Sequence, residues 1–518
     1  MNTLLDTLLR PAGDTDPGAQ SCISWRHEPS SAVPHLVIGD SPRPGGQWAS
    51  NPVDASWDIG SLSYADQLSL PGYSLADHWL ATKSSRLPTL HRPSRNEVAD
   101  YFSTYPSAVS IASNIRTSQT ATGITRTSTG FHIASHNLNC RHLVLASGTF
   151  SSNLPAPHFL APLAQLSSPT EPLLVIGSGF TAADIIVSAP PDRKILHIFI
   201  WDPEHRPSPL RGCHPQAYPE YAGVYKHMKQ AAARAANYGR RTSIFNTDAP
   251  SKRSSAKHGK GATPFEQRNW AATYEGFPNA TIMEIATKHG TFHSADASRR
   301  GSAHALGGLF HHHHHHHQHQ HEQPRRSSHA PLEAHQHPAV AEHAVVQIAS
   351  PTPQETLVRD SRAVGEFRYA AGRRGSLGYL SPALLREVLD APAYGARSEP
   401  DARGRAGVAS SSSASSSPRR GSVDHDFALD GPAAAQISGE TLRAKVEAGP
   451  TVAPGVFAIG SLTGDSLVRF AYGCCCVVGG VVRAEWARRR EEVAGNGDVD
   501  GVAGVTARMD RGGVRDGP

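Results

Sequence analysis

The chain has 518 residues, 38% of them hydrophobic, with 50 Lys and Arg against 45 Asp and Glu and a formal net charge of +5. This length exceeds what one core usually holds, so two domains are expected, with the apolar shortfall confined to biased stretches outside them. The basic residues form no stripe or nucleic-acid-binding module, no apolar run reaches a membrane span, and no basic-then-apolar leader opens the chain. Nucleic-acid binding and a membrane span are therefore excluded as readings, and a cytoplasmic protein is expected.

In chain order, short apolar runs end in glycine at His35–Gly39, followed by Gly45-Gly46-Gln47-Trp48, and at His142–Gly148. The pattern returns at Leu173–Gly177 and again at Gly455–Gly460. Such runs are how buried parallel strands feed turns at the carboxyl edge of a sheet, so the fold class is α/β. Phe367–Gly372 reads as a further strand, and Ser381 with Pro382 opens a short helix to about Leu389. Ser243–Lys260, the histidine run His311–His317 with His319 and His321, and Ser410–Ser417 with Pro418-Arg419-Arg420 are low-complexity segments. They cannot bury enough apolar surface to offset ordering entropy, and a histidine homopolymer lacks the fixed geometry of a metal site, so no metal is assigned. Arg488, Arg489 and Arg490 read as a solvated helix end. The six cysteines (Cys22, Cys140, Cys213, Cys474, Cys475, Cys476) show no CxxC spacing and read as buried thiols in a reducing compartment.

The third run carries most chemistry. Gly177-x-Gly179-x-x-Ala182 follows an apolar strand and leads into Ala182-Ala183-Asp184-Ile185-Ile186, which has helical periodicity. Gly177 permits the tight turn, Gly179 lets backbone amides approach a pyrophosphate, and Ala182 keeps helix and strand close. An ordinary strand–turn–helix built on small residues is the competing reading. The next strand, Ile195–Ile200, ends beside the place of an adenine ribose. There Asp202 and Glu204 would favour a 2′-hydroxyl, and Arg206 and Arg211 a 2′-phosphate.

The pattern resembles the flavin-containing monooxygenase-like oxidoreductases and, more closely, the oxidative stress-induced growth inhibitor family. The match is carried by Leu4–Leu9, Pro34–Gly39 with the Gly45-Gly46-Gln47-Trp48 turn, Leu70–Leu75 and Glu97–Phe102. Tyr218-Pro219-Glu220-Tyr221 with Val224-Tyr225, and Gly464–Phe470, continue it. The resemblance implies two Rossmann-like dinucleotide-binding domains holding FAD and NADP. Gly45, Gly46 and Trp48 would lie near the flavin, with Gly148 at the crossover between domains and Gly460 and Asp465 returning the chain to the flavin. A turn with a core tryptophan, and a helix N-cap at Asp465, are the plain structural alternatives. The resemblance also tips Arg206 and Arg211 towards NADP.

Two departures accompany it. The family opens with a strand and GxGxxG for the flavin's ADP half, which is not found before Gly39, so an N-terminally truncated flavin domain is expected. The FxGxxxH string of N-hydroxylating and Baeyer–Villiger relatives is also missing; Phe150 and His158 fall in that stretch without its glycine spacing, and His158 reads as a loop residue.

The expected organisation is an incomplete first part of the FAD-binding domain at 1–165 and an NAD(P)-binding domain at 166–300. A His-rich disordered insert at 301–362, a return of the core at 363–394 and a Ser-rich disordered insert at 395–435 follow. The closing part of the FAD domain spans 436–485, with a disordered tail at 486–518. The function expected is an NADPH- and FAD-dependent oxidoreductase of flavin monooxygenase type; the alternative is a non-catalytic regulator of cell growth or oxidative stress response. No catalytic residue, small-molecule substrate or protein partner is assigned.

Overall fold

The computed structural model describes residues 2–13, 16, 19–237, 264–288, 290–293, 343–351, 357–390, 436–437, 441–446, 449–464 and 467–495. The low-complexity segments within 243–260, 311–321 and 410–420, Asp465, and the tail from 496 onward lie outside the described residues. The fold is mixed α/β, and the chain divides into two compact units: 1–52, 60–152 and 373–518 form one; 53–59 and 153–372 the other.

In chain order the first unit begins with α1 (Asn2–Leu9), β1 (Val37–Ile38), α2 (Ala65–Leu68), α3 (Leu75–Lys83) and α4 (Arg95–Ala108). It continues through β2 (Ile115–Arg116), β3 (Ile124–Thr127), β4 (Gly130–Ile133), β5 (Leu138–Cys140) and β6 (Leu143–Leu145). β1 pairs in parallel with β2, while β3, β4 and β5 form an antiparallel meander. Helices α3 and α4 start at capping boxes, where Ser74 and Ser94 accept from the third amide of the helix and Asp77 and Glu97 reach back. Ala65, Leu68, Leu75, Val98 and Tyr101 bury a helical core on which Trp48 and Phe102 pack.

After β7 (Ser152–Asn153), the second unit holds β8 (Leu173–Ile176), α5 (Phe180–Ser188), β9 (Ile195–Phe199), α6 (Pro219–Asn237) and β10 (Tyr274–Pro278). It then runs through β11 (Thr281–Thr287), β12 (Gly290–His293), β13 (Ala344–Pro351), β14 (Leu357–Val364) and β15 (Glu366–Tyr369). A parallel sheet has the order β10-β9-β8-β15, and an antiparallel one the order β12-β11-β13-β14. Both faces of the inner strands are covered: β8 is apolar along its whole length, and every residue of β9 is buried, His197 being its one polar side chain. Leu174, Leu196, Ile198 and Phe277 of the parallel sheet pack against Ile282, Ile285, Val346 and Ile348 of the antiparallel one.

The chain then returns through β16 (Arg373–Ser376), the helix Pro382–Asp390, β17 (Gln436–Ile437), β18 (Thr451–Ala453), β19 (Val456–Ala458) and the helix Tyr472–Gly495. β19 pairs in parallel with β6.

Several expectations need correction. The insert placed at 301–362 contains β13 and most of β14, whose alternating Val346 and Ile348 are fully buried; a strand that fills a core is ordered whatever its neighbours. The boundary placed at 165–166 falls at 152–153, because Leu160 and Leu163 belong to the core of the second unit. The tail placed from 486 begins inside the helix that ends at Gly495, and this helix carries Arg488, Arg489 and Arg490. Of the cysteines only Cys474 is buried, while Cys22, Cys475 and Cys476 are exposed. Consecutive helical residues point about 100° apart, so three in a row cannot all face one core.

Candidate functional site

At Gly177–Ala182 the described residues build a strand–glycine–helix turn. β8 ends at Ile176, Gly177 turns with φ +153, and α5 begins after Gly179 as N-cap. A Cβ on Gly177 would stand 2.4 Å from the carbonyl oxygen of Ala370, so only glycine lets the turn pass the end of β15. A Cβ on Gly179 would meet nothing nearer than Pro209 at 3.9 Å, so this face of the turn is open. Ala182 and Ala183 are 1% and 0% exposed, which lets α5 lie close on the sheet. The first intrahelical bond is donated by Ala183 to Gly179. The amides of Phe180, Thr181 and Ala182 have no protein acceptor among the described residues. They present donors at the positive end of a helix, which fits a diphosphate.

The turn is braced from beneath. His197, in the middle of β9 and 1% exposed, lies 2.7 Å from the Gly177 carbonyl through Nε2 and 2.8 Å from the Tyr274 hydroxyl through Nδ1. A carbonyl only accepts, so Nε2 carries the proton, and the neutral ring then takes the Tyr274 hydroxyl hydrogen on Nδ1. Burial lowers the His197 pKa to about 4, and burial pushes the Tyr274 phenol well above its ordinary range, so both stay neutral. Ser178 is tied on both sides: its Oγ accepts from Ile200 N at 2.9 Å, and its carbonyl accepts from Ser208 Oγ at 2.6 Å.

Beyond β9, Asp202 accepts from the backbone amide of His205 and meets the His205 ring, each at 3.1 Å. The His205 amide holds the Asp202 carboxyl below its usual range. Arg211 donates to the Pro203 carbonyl at 2.9 Å and so shapes the loop. Arg206 is exposed, and its guanidinium has no protein partner among the described residues. The structure therefore separates two arginines that looked alike in sequence.

The residues matched to the flavin side lie in the first unit. Gly45 and Gly46 have φ +119 and +52, and Trp48 meets Phe102 edge-on at 6.4 Å. Gly148 and Gly460, at φ +73 and +67, lie in the segments that follow the neighbouring strands β6 and β19; Ser461 Oγ accepts from Thr149 N at 3.0 Å. Added Cβ atoms at Gly46 and Gly460 would meet nothing within 4 Å, so the backbone there is open to a ligand. Arg373, which sequence reasoning missed, joins the two groups. It donates to Gln47 Oε1 at 3.2 Å and Asn51 Oδ1 at 2.8 Å, and lies 5.9 Å from the Phe150 ring. Its only sequence signal is a basic pair after the Phe367–Gly372 run, which by itself is indistinguishable from surface arginines. His158 is exposed and begins a 3-10 helix.

A cavity of about 480 Å3 lies along β10, lined by Lys194, Arg234, Tyr274, Glu275 and Asp360 among others, and none of the candidate residues borders it. Glu275 there is paired with Lys194 and Arg362 at 2.9 and 2.5 Å. No described helix is long and apolar enough to cross a membrane.

No family model matches the chain. The mouse oxidative stress-induced growth inhibitor 1 is 28% identical over 267 residues, covering 44% of this chain and 54% of that protein. The human oxidative stress-induced growth inhibitor 2 is 26% identical over 289 residues, covering 43% and 54%. The chain thus spans about half the length of the curated relatives it matches. Among solved structures, a flavin-containing monooxygenase from Stenotrophomonas maltophilia overlaps at 16% identity and TM-score 0.28, covering 36% of this chain and 60% of the other. A bacillithiol disulfide reductase from Staphylococcus aureus overlaps at 12% identity and TM-score 0.28, covering 51% and 74%. Superpositions at this level carry no argument about activity. In sequence, the chain is similar to the oxidative stress-induced growth inhibitors, the family its motifs resemble.

Proposed function

We propose that the chain acts as an FAD- and NADPH-dependent oxidoreductase of flavin monooxygenase type, built on two Rossmann-like dinucleotide-binding domains. The observation that carries this reading is the braced turn: open amides at the start of α5, a clear approach at Gly179, and a buried His197 fixing the Gly177 carbonyl. The residues fit a nicotinamide dinucleotide, with the α5 amides on the diphosphate and Arg206 on the ribose 2′-phosphate. For flavin, Gly46, Trp48, Gly148 and Gly460 supply backbone approach and an aromatic wall, while its diphosphate is assigned to no residue of the chain. Bound together, the two cofactors supply hydride transfer from nicotinamide to flavin and then reduction of oxygen. The chain's own part is to hold and orient them. The Gly177 carbonyl and the Tyr274 hydroxyl keep His197 in one tautomer beneath the turn, so the site needs no proton movement to receive the diphosphate.

The relatives' names favour a second reading, in which the nicotinamide unit serves a non-catalytic regulator of growth or oxidative stress response. Visible absorbance of the purified chain after incubation with FAD, followed by NADPH oxidation, separates them. A stoichiometric band near about 450 nm with NADPH consumption upholds the oxidoreductase. NADPH binding by a colourless protein that never consumes it moves the chain to the regulator.

A further inference from the structure

The segment Tyr218–Tyr225, part of which carries the family resemblance, forms the start of α6 and the turn before it, and has no part in the diphosphate turn itself. Tyr221 and Tyr225 meet residues that follow the carboxyl ends of β8 and β9. Tyr221 donates to Asp184 of α5 at 2.8 Å and meets Phe180 edge-on at 5.3 Å, which sets α6 against α5. One helical turn on, Tyr225 lies 5.7 Å from the Trp201 ring at 35°.

Trp201 is held with unusual firmness for a half-buried residue outside a strand. Its amide donates to Asn279 Oδ1 at 2.7 Å, and Asn279 Nδ2 returns a bond to its carbonyl at 3.1 Å. Asn279 does this from a left-handed backbone at φ +53, with its own amide bonded to Phe199 O at 2.8 Å. The Trp201 ring then stands edge-on to Phe199 at 6.2 Å. Phe199 is 2% exposed and already closes the core, so the indole beyond it is not needed as a plug. The preceding residue, Ile200, bonds to Ser178 between the two glycines of the turn. An aromatic shelf thus sits at the end of the second strand, one residue from a segment fastened to the diphosphate turn.

We propose that Trp201, backed by Tyr225 and clamped by Asn279, is the platform on which the purine of the dinucleotide stacks. This rests on the nicotinamide reading above. A purine is flat, neutral and polarisable, and an indole face rewards it without reading its edges. Arg206 lies in the same loop after β9, its amide bonded to the carbonyl of Asp202, the residue after Trp201, so purine and 2′-phosphate would be held by one loop.

The test measures adenosine 2′,5′-bisphosphate and NADPH binding to the full chain by calorimetry, in wild type, Trp201→Ala, Trp201→Phe and Gly179→Trp, with thermal midpoints alongside. Trp201→Ala is expected to weaken both ligands about tenfold or more while the midpoint holds, and Trp201→Phe to restore most of the affinity. Unchanged affinity in Trp201→Ala, with wild type binding and Gly179→Trp not, overturns the platform and leaves the nicotinamide site standing. Wild type that binds neither ligand overturns both. Should Trp201→Ala not fold, 19F spectra of 5-fluorotryptophan-labelled wild type decide, the Trp201 signal being assigned by its loss in Trp201→Phe. It shifts on saturation with adenosine 2′,5′-bisphosphate if the platform is real and stays fixed if it is not.

Discussion

A histidine in the middle of a fully buried strand costs desolvation unless both ring nitrogens are satisfied, and His197 meets that condition with Gly177 and Tyr274. Tyr274→Phe removes the donor to Nδ1 and leaves that nitrogen buried and unpaired, so stability should fall by about 1–3 kcal/mol in urea denaturation at neutral pH. His197→Phe strands two partners and should cost more, with weaker NADPH binding because the Gly177 carbonyl loses its anchor. The same residue sets a pH dependence. Its folded pKa is lowered from 6.5 to about 4, so the unfolded chain takes up a proton first as pH falls. Its contribution is therefore full above pH 6.5 and is lost progressively towards pH 4. The loss is of order 3 kcal/mol at most, and it should be absent from the pH–stability profile of a folded His197→Phe variant.

Elements differ in how much their own sequence supports them. Helix α4 starts at a reciprocal cap, Ser94 N donating to Glu97 Oε2 at 2.8 Å and Glu97 N to Ser94 Oγ at 3.3 Å. Ser94→Ala should cost about 1 kcal/mol in a denaturation titration and leave nucleotide affinity untouched, because the cap is remote in sequence and role from the β8 turn. At that turn the reverse holds. Gly177→Ala forces a methyl against the Ala370 carbonyl at a φ that side chains rarely adopt. It should cost roughly 2 kcal/mol or more and weaken NADPH at the same time; a stable variant with full affinity would remove Gly177 from the site. Helix α6 is amphipathic, burying Tyr221, Val224, Met228 and Ala231 at helical spacing, and its remaining tyrosine is the one that reaches Trp201.

At the scale of the molecule, each unit has its own core, one around Leu174, Leu196 and Val346 and another around Leu145, Val456 and Leu462. A ligand that binds only the folded state raises stability by mass action. NADPH at a hundred times its Kd should therefore stabilise the chain by about 2.7 kcal/mol, seen as a rise in the denaturation midpoint that Gly179→Trp abolishes. No rise in wild type would count against the nicotinamide reading.

The sequence by itself determined the apolar strands that end in glycine, the Gly177-x-Gly179-x-x-Ala182 turn and the helix beginning at Pro382, because these are local: each depends on a residue and its near neighbours. Its motifs also carried the family resemblance. Only the tertiary structure decided what lay between distant positions. β13 and β14 read as part of a biased insert until Val346 and Ile348 found a core to fill, and the cysteines read as buried until a helix turned two of them outward. Arg206 and Arg211 were equal in sequence, and a single bond to the Pro203 carbonyl tells them apart. His197, Tyr274 and Asn279 carry no local signal, and Arg373 only a basic pair that any surface could show. Their roles arise from contacts across long stretches of chain, and such contacts exist only once the backbone has closed around them.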